Sequence, residues 1–185
     1  VLFVSHNITA VKALCNSGIL LDKGTIQTAG KIESVVDTYL MKTNDELTSF
    51  VQIEKEAEGF HVHSISVSNN GGDGNFSIEE DLIISIKVSG KKDFDSININ
   101  LFFNSLEETM IFETCSPAEK FEAGEYFYQC IVPGKSLNDN IYKIDLMVVE
   151  LSQNILLFLK DVVSIKGVEE KRDGAWMGKF PGLVR

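Results

Sequence analysis

LIISIKV (residues 82–88) is the stretch on which the fold turns. Leu82, Ile84, Ile86 and Val88 alternate with Ile83, Ser85 and Lys87, the period of two that sets one apolar face on a strand. SININLFF (96–103) repeats the pattern through Ile97, Ile99, Leu101 and Phe103. EYFYQCIV (125–132) and IYKIDLMVV (141–149) follow, with weaker strand candidates at 61–67, 109–114, 155–159 and 162–166. Turn-rich segments separate them: NNGGDGN (69–75), SGKKD (89–93), NSLEE (104–108), Pro133-Gly134 and SLNDN (136–140). Seven or eight short strands at this spacing, with no long helical pattern between them, predict a mainly β fold: an antiparallel, immunoglobulin-like or jelly-roll sandwich over residues 50–185. Ile84, Ile86, Ile99, Leu101, Ile144 and Leu146 are its expected core.

Residues 1–42 follow different periods. VLFV (1–4) is a continuous apolar run, as expected of a parallel strand buried on both faces. Ile8, Val11, Leu14 and Cys15 then recur at helical spacing, with Ser5 or Asn7 as cap and Gly18 as stop. GILLD, the turn Lys23-Gly24 and TIQTA read as a hairpin. A second helix carries Ile32, Val35, Val36, Tyr39 and Leu40 on one face. About 40 residues cannot supply a parallel strand with neighbours and two covering layers. Together with Val as first residue, this leads us to expect a truncated chain. TNDELTS (43–49) is polar and reads as a linker.

Charge is unevenly placed along the 185 residues, which carry a net charge of −10. Residues 1–42 hold four lysines and three acidic residues, a net of +1, so residues 43–185 carry −11. A domain this acidic is a poor partner for nucleic acid, whose phosphates require clustered cations, and a poor anchor on anionic lipid. No apolar run approaches the roughly 20 residues that span a bilayer, and no signal peptide is recognisable. Cys15, Cys115 and Cys130 are odd in number and lack C-x-x-C spacing, which fits free thiols in a reducing compartment.

VLFVSHN, the helix ending NSG, ILLDKGTIQTAG and KIESVVDTYL together resemble the end of the nucleotide-binding domain of ABC-transporter ATP-binding subunits. His6 matches that family's switch histidine, which the resemblance implies contacts the γ-phosphate of ATP and positions the attacking water. The chain lacks a G-x-x-x-x-G-K-[ST] loop, an LSGGQ-like signature and an apolar strand ending in Asp-Glu. It is therefore expected to be inactive alone and to need no cofactor, whereas the full-length subunit would use ATP and Mg.

Residues 50–185 resemble the C-terminal domain of the Wzt-type, polysaccharide-exporting subunits. The likeness is carried by CIVPGKSLNDNIYKIDLMVV (130–149), KDVVSIKG (160–167) and GAWMGKFPGLVR (174–185). The resemblance implies a homodimer and a membrane permease as partner. It also implies a peripheral place on the cytoplasmic side of the inner membrane and a polysaccharide ligand of O-antigen type. A dimerisation module without glycan binding, in this or a teichoic-acid-type exporter, is the alternative.

Sugar binding needs an aromatic face and fixed polar groups. Tyr126, Tyr128 and Cys130 share one face of 125–132, and Phe127, Gln129 and Ile131 the other. Lys143, Asp145 and Met147 lie opposite Tyr142, Ile144, Leu146 and Val148. The glycan candidates are accordingly Gln129, Lys143 and Asp145 on an open sheet face, or Tyr126 and Tyr128 if theirs is the open one. His61 and His63 share a face, but no third ligand is evident, so they read as polar surface histidines and no metal is expected. Runs such as Glu79-Glu80-Asp81 sit at turns and read as solvated, not as paired catalytic acids.

Overall fold

The computed structural model describes residues 2–5, 8–45, 47–69, 75–106, 109–169 and 184. His6 and the tail 174–185, Val184 excepted, lie outside the described residues. The chain divides into two units, a smaller one built on Val1–Glu46 and a larger one comprising Leu47–Ser105 and Thr109–Arg185.

In the smaller unit, α1 (Ile8–Leu14) leads into the hairpin of β1 (Ser17–Asp22) and β2 (Thr25–Lys31), followed by α2 (Ile32–Asp45). Asp22 pairs with Thr25, so the loop is two residues long. Both loop residues have positive φ, Lys23 at 48° and Gly24 at 79°, the twist that suits a two-residue hairpin. Ile32, Val35 and Val36 of α2 are buried. Gly18 lies close under this helix, where an added Cβ would come 2.9 Å from Ile32 Cδ1.

Two expectations are corrected here. Residues 2–5 form no strand, and Leu2 and Val4 are exposed. A parallel strand needs hydrogen-bonding neighbours, and no strand of the described residues runs beside this one. Residues 43–45 are the last turn of α2 and not linker.

The larger unit is a sandwich of two sheets. Its strands are β3 (Phe50–Ala57), β4 (Phe60–Ser68), β5 (Asn75–Ser77), β6 (Leu82–Gly90), β7 (Phe94–Ser105), β8 (Met110–Cys115), β9 (Glu119–Phe121), β10 (Gly124–Val132), β11 (Ile141–Glu150) and β12 (Asn154–Val168). The order is β10-β6-β4-β3 in one sheet and β5-β12-β11-β7-β8 in the other, with β9 also on β7. All pairings are antiparallel except β5 with β12. The six expected core residues are all buried, none more than 4% exposed, within one apolar cluster fed by both sheets.

The candidate strands 155–159 and 162–166 are one strand, β12. An irregularity opposite Asp145 interrupts its ladder with β11, where Asp161 takes a φ of 50°. Asp145 holds this bulge: Oδ1 accepts the Asp161 backbone N–H at 2.7 Å, and Oδ2 accepts the Asn104 amide at 2.9 Å.

The crossing from β10 to β11 passes from one sheet to the other through residues 133–140. It threads a narrow path. An added Cβ at Gly134 would meet Glu79 O at 2.5 Å, and one at Gly167 would meet Asn138 O at 2.3 Å. Backbone bonds fasten the crossing on both sides, Lys135 N to Ile78 O at 2.6 Å and Gly167 N to Asn140 O at 2.8 Å. Tyr142, fully buried at the start of β11, clamps the same loop. Its hydroxyl donates to Asn138 O at 3.0 Å and accepts from Asn138 N at 2.8 Å. This is the logic of a tyrosine corner. Burial pushes the phenol up to about 12.

Ile84→Ala should cost about 2–5 kcal/mol of stability in urea unfolding, whereas Ile131→Ala, on an exposed position of the neighbouring strand, should stay within about 0.5 kcal/mol. Tyr142→Phe should cost about 1–3 kcal/mol, because it strands two buried backbone groups. The neutral phenol is the form the fold favours. The advantage of Tyr over Phe should therefore be fully present below its usual value of 10 and fall away as pH rises toward 12.

Candidate functional site

The two sheets part on one side. β10 is an edge strand of its sheet and β8 an edge strand of the other, and between them opens a cleft of about 420 Å³. Its floor is the side of the core, with Ile86, Ile99 and Leu101. Thr114, Ser116 and Glu119 bring polar groups from β8, β9 and the turn between them, and Tyr128 faces them from β10. Ser116 is fixed by two bonds to Ile99, its Oγ accepting the Ile99 N–H at 3.0 Å and its own N–H reaching Ile99 O at 2.9 Å. Cys115 and Cys130 also line the cleft, and both are free thiols.

Register decides which face of β10 meets this space. Tyr126 pairs with Val88, Tyr128 with Ile86 and Cys130 with Ile84, so the tyrosines lie on the core side. Tyr126 rests on Phe121 with ring centroids 4.5 Å apart, the outermost member of a cluster that includes Phe60 and Phe94. Tyr128 is half-buried. Desolvation first, then the Glu119 and Tyr126 charges, push its phenol above the ordinary tyrosine value. Gln129 and Ile131 also border the cleft, while the Gln129 amide turns to the opposite face and reaches Ser85 Oγ at 3.3 Å.

The expected platform shared by 125–132 and 141–149 does not form. β10 pairs with β6, while β11 pairs with β7 and β12 in the other sheet. The loop 133–140 is a crossover and not a hairpin, so Gln129 cannot share a surface with Lys143 and Asp145. Those two are committed to the β12 bulge, Asp145 as described and Lys143 through Asp161 at 3.3 Å. The outer face of the larger sheet carries Phe102 and Phe158 edge-to-face at 6.0 Å, and Asn98 bonded to Asn100 at 3.2 Å. Asn100 Nδ2 is buried there without a hydrogen-bond partner among the described residues. Thr114, Ser116 and Glu119 escaped the sequence reading, since TCSPAE carries no signal beyond a proline-ended strand.

No protein-family model matches the chain, and no curated protein sequence matches it. Solved structures do. The crystal structure of the C-terminal domain of Wzt superposes with a TM-score of 0.59 at 14% identity, covering 74% of this chain and 87% of that one. The larger unit has the Wzt C-terminal-domain fold. A Niemann-Pick type C2 protein from Japanese carpenter ant (TM-score 0.41, 12% identity, 63% of this chain and 99% of that one) is a looser neighbour. So is a glycoside hydrolase family 2 β-glucuronidase (0.37, 11%, 55% and 10%), and neither carries an argument about the site. In this Wzt-like sandwich, no helix among the described residues is long and apolar enough to cross a membrane.

Asp145→Ala should lower stability by about 1–2 kcal/mol, a few degrees in Tm, by releasing the β12 bulge. Amide resonances of Thr114, Ser116 and Tyr128 should not shift, because the bulge and the cleft belong to different surfaces.

Proposed function

We propose that this chain is the C-terminal region of the ATP-binding subunit of an ABC transporter that exports a lipid-linked polysaccharide of O-antigen type. Its sandwich recognises the glycan in the cleft between β10 and β8. The observation that carries this reading is an open, ready-formed cleft with an apolar floor and a polar rim, set in a fold shared with the Wzt C-terminal domain. Tyr128 offers its ring to the apolar side of a pyranose, and Thr114, Ser116 and Glu119 offer partners to its hydroxyls. In the full-length subunit His6 would serve the ATPase with ATP and Mg. The subunit would work as a homodimer against its membrane permease, peripheral on the cytoplasmic side of the inner membrane.

The net charge of −11 beyond residue 42 opposes a strongly anionic glycan. A neutral, zwitterionic or terminally modified sugar suits it better. An exporter must release its cargo, so affinity belongs between about 1 mM and 1 μM, roughly −4 to −8 kcal/mol.

One observation favours a second reading. β10 is an edge strand with Phe127 70% and Ile131 58% exposed, a surface suited to pairing with a second copy. On that reading the sandwich is a dimerisation module without a glycan.

Titration of the cognate polysaccharide, followed by NMR, should shift amides of Thr114, Ser116, Glu119 and Tyr128, and Tyr128→Ala should weaken binding about tenfold or more. Shifts on the Phe102–Phe158 face would overturn the cleft as the site. An absence of shifts, with dimerisation lost in a Phe127→Lys variant, would favour the module reading.

A further inference from the structure

On the hairpin of β3 and β4, at the other edge of the smaller sheet, two ladder irregularities coincide. Between β3 and β4 the register steps from Gln52↔Ser64 to Lys55↔Val62, so Ile53 and Glu54 together stand opposite His63. Between β4 and β6 it steps from Val62↔Val88 to Ser64↔Lys87, which makes His63 the extra residue there as well. Glu54 takes a φ of 49°, a left-handed conformation that costs a residue with a side chain. Bulges of this kind re-aim side chains. Here they bring a carboxylate from one strand over two imidazoles of the next.

Glu54 Oε2 lies 2.9 Å from His61 Nε2 and 3.4 Å from His63 Nδ1. One ligand atom from each of the three residues falls within a 4.8 Å span. Such separations suit a cation about 2.0–2.2 Å from each donor. The outer contacts are those of a metal site too. His63 Nε2 sits 2.8 Å from Ser89 Oγ, which fixes the ring and leaves Nδ1 for the cation. The Gln52 amide donates to Glu54 Oε1, leaving Oε2 toward the histidines. His61 Nε2 is buried and makes no hydrogen bond among the described residues, although the Glu54 carboxylate is near. The neighbouring cation, Lys91, is neutralised by Glu56 at 2.7 Å.

We propose that Glu54, His61 and His63 form a binding site for a divalent cation of the zinc class. Two imidazole nitrogens and one carboxylate oxygen suit zinc, cobalt or nickel, whereas calcium and magnesium demand oxygen. Three protein donors leave one tetrahedral position for water or an external ligand. The cation joins edge strand β3 to β4 where their ladder is interrupted, and is independent of the glycan reading.

Cobalt(II) as a spectroscopic stand-in, and zinc by calorimetry, test the site on the full chain purified without a histidine tag. The expected result is one equivalent bound, with intense tetrahedral d–d bands and no thiolate charge-transfer band. His61→Ala, His63→Ala and the isosteric Glu54→Gln should each weaken binding about a hundredfold, and Ser89→Ala about tenfold. The zinc-induced rise in Tm should vanish with them. These outward-facing substitutions leave the core intact, which circular dichroism would verify. The proposal is overturned by wild-type protein that binds no cobalt, by a thiolate band that assigns the metal to cysteine, or by binding that survives both histidine substitutions.

Discussion

The space between the two sheets stays dry only while β6, β7 and β11 keep their registers, because each carries its apolar residues at every second position. A slip of one residue would turn Ile84 and Ile86 outward and bring Ser85 and Lys87 into the core. Two buried isoleucines, at roughly 1.5–3 kcal/mol each, would already outweigh several surface contacts. The rest of the larger unit protects that register. Asp145 absorbs the extra residues of β12 in a bulge, so the strand regains phase before Val163 and Ile165 enter the core. Gly134 and Gly167 let the crossover lie against neighbouring backbone, and Tyr142 ties it down. The segments CIVPGKSLNDNIYKIDLMVV and KDVVSIKG supply much of this clamp.

Local periodicity made the core legible. The six residues read from alternation are buried because burial on one face is what period two encodes. Partnership between strands was not legible. Nothing local in EYFYQCIV and IYKIDLMVV says that the loop between them changes sheets, so Gln129, Lys143 and Asp145 could be placed on faces but not on a common surface. The cleft residues Thr114, Ser116 and Glu119 come from a short strand and a turn without any pattern. Glu54 was hidden for a related reason, since its approach to His61 and His63 depends on two bulges that break the strand period. VLFV differs again, since the sequence reading already left it without neighbours. Its composition suits a buried strand, but composition supplies no neighbour.

The sandwich is least closed between β10 and β8. The middle strands of each sheet pair on both sides, and their inward side chains feed the apolar cluster. Along β10 and β8 the core comes to the surface, and a guest can touch apolar floor and polar rim together. On the proposed glycan reading, stability and recognition would draw on the same residues at different depths. Ile86, Ile99 and Leu101 belong both to the core and to the cleft floor.

The two edges of the smaller sheet are not equivalent. β10 runs beside β6 through nine residue pairs without a break in register. β3 is kinked at Glu54, and the residues just before it are fastened to the larger sheet by Thr48 N to Ser164 O at 3.3 Å. An incoming strand therefore finds a continuous template on one side and an interrupted one on the other. Two molecules that meet through β10 consume the same edge in both partners and present no second straight edge of that sheet to a third. On the dimer reading, growth along this sheet would terminate at a pair, and the kink that aims Glu54 would also guard against edge-to-edge polymerisation.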